Sequence, residues 1–290
     1  ILFIILRILG IKISKYIRMK FVDSPFRFDG LLEFYGIKIN KSNVHLLAKY
    51  ENPSFLNFKT IFTEGYYIGK SGNLYFYEKY KHLYNNSYVY DCILIGACEG
   101  GYKDIINLMI EKGTNDWDAG LNYACKGGNI EIINLMIEKG VNDWNKGLYG
   151  ACEGGNMEIV KMMIEKGAIN WNAGLCSACE GGNIEIVKMM IEKGADNFGG
   201  GLYKACEFGN IEIVKLMIEK GANNWNGGLY NACKGGNMII VKKIIEKGAI
   251  DWNGGLRNAC IYGNIEIINL MIEKGAKKCG GYKCKGHNFK

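Results

Sequence analysis

Asp143-Trp144-Asn145-Lys146-Gly147-Leu148-Tyr149-Gly150-Ala151-Cys152-Glu153-Gly154-Gly155-Asn156-Met157-Glu158-Ile159-Val160-Lys161-Met162-Met163-Ile164-Glu165-Lys166-Gly167-Ala168 contains two short helices and two stops. Asn145 is the predicted N-cap of a first helix that turns Leu148, Ala151 and Cys152 inward. Gly155 suits the left-handed residue that ends it. Asn156 then caps a second helix. There Met157, Val160 and Ile164 follow helical spacing on one apolar face, with Ile159 and Met163 beside them. Glu158, Lys161 and Glu165 face outward, and Gly167 stops the helix. Gly147 and its equivalents Gly120, Gly174, Gly201, Gly228 and Gly255 are expected to allow a tight entry into the first helix.

The unit recurs. Ala-Cys stands at Ala97-Cys98, Ala124-Cys125, Ala151-Cys152, Ala178-Cys179, Ala205-Cys206, Ala232-Cys233 and Ala259-Cys260, each pair 27 residues after the last. Helices this short are below the length of about 12 to 15 residues that is marginally stable alone. Each hairpin must therefore bury its apolar face against its neighbours, which predicts an all-α solenoid of stacked helix-turn-helix repeats.

The fourth repeat carries Leu175, Ala178-Cys179, Gly182-Asn183, Ile186-Val187, Met190-Ile191 and Gly194-Ala195-Asp196. In these positions the chain resembles the ankyrin repeat, and the other repeats align without gaps from residue 94 to about 276. The usual ankyrin period is about 33 residues. The missing residues fall between Gly-Ala and the next Leu, where the family places its β-hairpin finger, so that finger is expected to be reduced or lost. The family's Thr-Pro-Leu-His is replaced by patterns such as Asn172-Ala173-Gly174-Leu175. Short repeats rich in Ile, Lys and Asn are similar to those of ankyrin proteins encoded by mimivirus-like giant DNA viruses of amoebae. The resemblance implies a protein-protein interaction scaffold or adaptor, expected in the host cytoplasm, that binds a partner protein through the concave face of the stack.

Within this chain the first-helix positions after Leu and after Cys vary while core positions do not. Candidate partner-binding residues are accordingly Tyr123, Lys126, Tyr149, Glu153, Glu180, Tyr203, Lys204, Glu207, Tyr230, Lys234 and Arg257, with the tyrosines as anchors or as half-buried packing. A second ladder, Trp117, Trp144, Trp171, Phe198, Trp225 and Trp252, is either packing over the missing finger or an exposed aromatic strip. Ile239, where other repeats carry Glu, and Lys243, where they carry Leu or Met, read as sequence drift, with a local contact site as the alternative.

Composition excludes other classes. The formal charge of +7 resides at the ends: residues 1–90 hold 13 basic and 6 acidic residues, residues 91–275 hold 18 and 23, and residues 276–290 hold five lysines and no acid. A polyanion-binding body would carry its basic face on folded elements. Nucleic-acid or membrane-surface association through the basic termini is the alternative function, as is a separate recognition or catalytic domain in the N-terminal region. The ladder cysteines cannot pair with one another at a helix spacing of about 10 Å, so they read as small apolar residues in a reducing compartment.

Further boundaries follow. Residues 1–18 read as an untranslated or fragment-edge segment, with a secretory h-region as the alternative. Residues 19–93 form an aromatic-rich N-terminal region, either degenerate capping repeats or a recognition domain. Residues 94–276 are the seven repeats, and residues 277–290 a basic, disordered tail. Gly69-Lys70-Ser71 lacks the glycine spacing of a phosphate-binding loop. Cys279, Cys284 and His287 lack the fourth ligand that structural zinc takes. No cofactor, small molecule, catalytic set or transmembrane span is expected, and the chain is read as a monomer.

Overall fold

In the computed structural model, residues 61–72, 77 and 87–277 are described. Residues 1–18, most of 19–93 and the tail from residue 278 lie outside them. The described residues are all-α, without strands. The helices are α1 (Ile61–Ser71), α2 (Ser87–Gly100), α3 (Lys103–Glu111), α4 (Trp117–Gly127), α5 (Ile130–Glu138), α6 (Trp144–Gly154), α7 (Met157–Glu165), α8 (Trp171–Gly181) and α9 (Ile184–Glu192). They continue as α10 (Phe198–Phe208), α11 (Ile211–Glu219), α12 (Trp225–Gly235), α13 (Met238–Glu246), α14 (Trp252–Tyr262) and α15 (Ile265–Glu273). The chain divides into two compact units, one ending at Asp116 and the other beginning at Trp117.

In the second unit each repeat is a first helix of 11 residues and a second of 9. Leu148, Ala151 and Cys152 are fully buried, as are their equivalents in neighbouring repeats. The second helix is rotated from the expected face. Ile159, Val160 and Met163 are buried, whereas Met157 and Ile164 are only half-buried. The first helix covers the second along the 159–163 line, which displaces Met157 and Ile164 to the edges of the stripe.

Gly155 ends α6 with φ 74°, and Gly167 follows α7 with φ 110°, both as the stop signals require. Asn156 accepts from the Glu158 and Ile159 amides and so caps α7. Asn145 does not cap α6. Asp143 does, accepting from the Asn145 amide at 3.1 Å. The Gly147 row also differs from expectation, because these glycines are not at the helix entry. A side chain there would press on the second helix of the same repeat: a Cβ on Gly174 would lie 2.7 Å from Met190 Sδ, and one on Gly201 2.6 Å from Met217 Sδ. Their role is close helix approach.

No finger projects between repeats. Five residues, such as Lys139 to Asp143, link one second helix to the next first helix. Successive first helices pack along one another, while successive second helices touch only marginally. The second unit therefore fans, with the first helices on its inner side.

Six ladder cysteines from Cys98 to Cys233 are free and buried. Cys260 departs from the expectation that all seven are simple packing residues, being disulfide-bonded. No further described repeat follows it, and it is 7% exposed where Cys233 is 0%.

In the first unit α1 and α2 cross at glycines. A Cβ on Gly69 would sit 1.9 Å from the Ile93 carbonyl oxygen, and one on Gly96 1.9 Å from that of Tyr66. Gly69-Lys70-Ser71 is thus part of a helix pressed against its neighbour. Beside this crossing, Glu99 accepts from Tyr66 Oη and from Lys70 Nζ, the latter at 2.6 Å.

Candidate partner-binding face

The first helices of the second unit present two rows of variable side chains, and both tie one repeat to the next. The charged row forms ion pairs: Lys126–Glu153 at 2.6 Å, Lys204–Glu180 at 2.7 Å and Lys234–Glu207 at 2.5 Å. Lys204 and Lys234 are held above the usual lysine range, first by the hydrogen bonds to Glu180 and Glu207 respectively. Such surface pairs stabilise by about 0 to 1 kcal/mol each, so their main effect is on register and local charge. The same ammonium groups lie over rings: Lys126 is 5.9 Å from the Tyr123 centroid, Lys204 5.6 Å from Phe208, and Lys234 5.6 Å from Tyr262.

The second row runs through Asn122, Tyr149, Cys176, Tyr203 and Tyr230 and rests on the turn that starts the next first helix. Asn122 donates to the Lys146 carbonyl at 2.7 Å. Tyr149 Oη accepts from Asn170 at 2.8 Å, and burial leads the causes that raise its hydroxyl above the normal range. The Tyr203 ring lies where a Cβ on Gly227 would be, 2.6 Å from it. Tyr230 donates to Asp251, and this bond, ahead of burial, pushes the hydroxyl up to about 12. Tyr123, Tyr149, Tyr203 and Tyr230 are all half-buried. Arg257, the next position in the row, is exposed.

The aromatic ladder at the start of the first helices is half-buried throughout. Two of the rings pack toward the end of their own second helix: Lys139 stands 5.9 Å from the Trp117 centroid and Lys166 5.8 Å from that of Trp144. On the opposite, turn side of the repeats Phe208 and Tyr262 are 47% and 52% exposed, at a position filled by glycine in the repeats of Gly154, Gly181 and Gly235. Ile239 is 70% exposed, and Lys243 pairs with Glu246 at 3.4 Å.

A third row escaped the sequence reading. Asp118 accepts from the Asn142 and Asp143 amides at 3.0 and 3.1 Å. Asn145 accepts from those of Ile169 and Asn170, both at 2.9 Å. Asn172 does so from Asp196 and Asn197 at 2.8 and 2.9 Å, and Asn226 from Ile250 and Asp251 at 2.9 and 3.0 Å. Asn253 accepts from Lys277 at 2.8 Å. One side chain per repeat thus fixes the loop ahead of the next. The signal was an Asn or Asp repeating every 27 residues and broken once, at Gly199. It also explains Asn145, whose side chain leaves its own helix for the next repeat.

Among the described residues no group of three His, Cys, Asp or Glu could hold a metal ion, and no helix is long and apolar enough to cross a membrane. Cys279, Cys284 and His287 and both basic termini lie outside the described residues. Around Trp171 the loop row opens into a groove of about 440 Å³ lined by Asn145, Ile169, Asn170, Trp171, Asn172 and Gly194.

Paired helices, cross-tied by side chains and repeated without a change of length, define a helical-repeat scaffold. The chain belongs to the ankyrin-repeat family: the model of ankyrin repeats (3 copies) matches residues 121–199, 148–227 and 202–280. Ankyrin repeats are in general protein-protein interaction modules. Among solved structures the chain is similar to the human ASB11 ankyrin repeat domain, with 27% identity over 54% of this chain and 83% of that one, at a TM-score of 0.40. No curated protein matches.

Proposed function

We propose that the chain is an interaction scaffold that grips a partner protein on the inner, first-helix side of the stack. The observation that carries this is the fanning of the second unit, which gathers the variable first-helix positions on one side. Tyr123, Tyr149, Tyr203 and Tyr230 offer half-exposed ring area at low entropic cost. The Lys126–Glu153, Lys204–Glu180 and Lys234–Glu207 pairs and Arg257 give that side its pattern of charge. In the first unit the packing of α1 on α2, which carries Ala97-Cys98, supports the reading of residues 19–93 as degenerate capping repeats.

On the strength of its 27-residue repeats the chain is read as similar to the short ankyrin arrays of giant DNA viruses, and its partner as a protein of an amoebal host. The free ladder cysteines support a reducing compartment, the host cytoplasm, with Cys260 alone disulfide-bonded among the described cysteines. Amoebal lysate passed over the immobilised full chain tests the face. A Tyr203→Ala, Tyr230→Ala double variant should lose at least about 1.4 kcal/mol of binding, hence about tenfold in retention of the captured protein. A Glu185→Lys, Glu212→Lys variant on the second helices should retain it. The reverse pattern, with binding lost only on the second-helix change, contradicts the proposal.

A further inference from the structure

We infer that the repeat formed by α10 and α11 is a built-in joint, and that the stack opens first between it and the repeat that begins at Trp225. The inference stands apart from the identity of any partner. Every other repeat from Asp118 to Asn253 pins the following loop with a side-chain acceptor, and this one has Gly199 at that place. The Asn223 and Asn224 amides therefore have no side-chain clamp from the repeat before them. Gly199, Gly200 and Gly201 run in succession through the start of α10, where each lacks the side chain that restrains its neighbours' backbone.

The two sides of the joint are loose at opposite ends. Toward α8 the loop end is pinned twice over: Asn172 accepts from the Asp196 and Asn197 amides, and its own amide donates to Asp196 Oδ1 at 2.9 Å. The turn end there carries Phe208 where Gly154, Gly181 and Gly235 let backbones touch in their repeats. Asn210 reaches across to the Cys179 carbonyl at 2.9 Å and makes no side-chain cap on α11. Toward α12 the arrangement inverts. The turn end is tight, since a Cβ on Gly235 would lie 2.0 Å from the Glu207 carbonyl oxygen, and Lys234 pairs with Glu207. At the loop end the Tyr203 ring lies against Gly227, with no side-chain acceptor from α10 on the 223–224 amides. The repeat pivots at Gly235 and gapes at Asn223.

The glycine is not required by geometry. Its φ is outside the left-handed region, and a Cβ built there meets nothing within 4 Å. Hydrogen exchange on the full chain, resolved to single amides, tests the joint. Asn223 and Asn224 should exchange about tenfold faster than the pairs at 169–170, 196–197 and 250–251, the ratio expected for one or two exposed bonds. Gly199→Asn should slow Asn223 and Asn224 to the rate of the other pairs, and Asn172→Gly should speed Asp196 and Asn197 by a similar factor. Equal protection of all four pairs in the parent chain overturns the inference, as does a Gly199→Asn chain whose 223–224 rates are unchanged.

Discussion

Between about pH 9 and pH 11 the repeat stack is expected to unfold cooperatively. Burial pushes the thiols of Cys125, Cys152, Cys179, Cys206 and Cys233 from 9.0 up to about 12. A raised folded value means that the stability linked to the neutral thiol is fully present below pH 9.0 and is lost as pH climbs toward about 12. Each thiol then costs about 1.4 kcal/mol per pH unit. For the set this is about 7 kcal/mol per unit, against a total stability of about 5 to 15 kcal/mol for a typical domain. Circular dichroism against pH should show a steep transition with a midpoint near pH 10 to 11, on the order set by those terms. Replacing Cys152, Cys179 and Cys206 by Ala should raise that midpoint and flatten the slope. A midpoint untouched by the triple change would assign the transition to lysine titration instead.

Gly96→Leu should detach α1 from α2. The Tyr66 carbonyl oxygen leaves 1.9 Å for a Cβ and the Lys70 amide nitrogen 2.9 Å, and both are backbone atoms that cannot rotate aside. Overpacking of this kind costs about 1 to 3 kcal/mol and more where main chain must move. The Glu99 bonds from Tyr66 and Lys70, which span the same crossing, would be lost with it. Hydrogen exchange should show α1 amides open in the variant, while α6 to α13 keep their protection. An α1 as protected as in the parent chain would mean that the crossing accommodates the larger side chain without separating.

The spacing of Ala-Cys was enough to read the helix pairs, their stops at Gly155 and Gly167 and the buried Leu148, Ala151 and Cys152, because these depend on interactions within one repeat. What crossed between repeats was less legible. Asn145 has the chemistry of an N-cap, and nothing local shows that its oxygen is already committed to Ile169 and Asn170 in the next unit. The small difference between Met157 and Ile159 as core residues depends on how the first helix lies over the second, which a periodicity cannot resolve. The charged first-helix candidates varied in sequence for a reason that is partly internal: Lys126 with Glu153, and Lys234 with Glu207, are complementary substitutions at equivalent places in adjacent repeats. Gly69 and Gly96 gave no sign of the crossing, since glycine favours turns and helix crossings alike.

A brief pulse of iodoacetamide at neutral pH, followed by mass spectrometry of each cysteine peptide, tests the stacked core most directly. Cys176, half-buried, should label in the native chain, whereas Cys125, Cys152, Cys179, Cys206 and Cys233, at 0% exposure, should stay unlabelled until the stack unfolds and then react together. Labelling of Cys152, Cys179 or Cys206 at the rate of Cys176 under native conditions would contradict a continuous buried ladder.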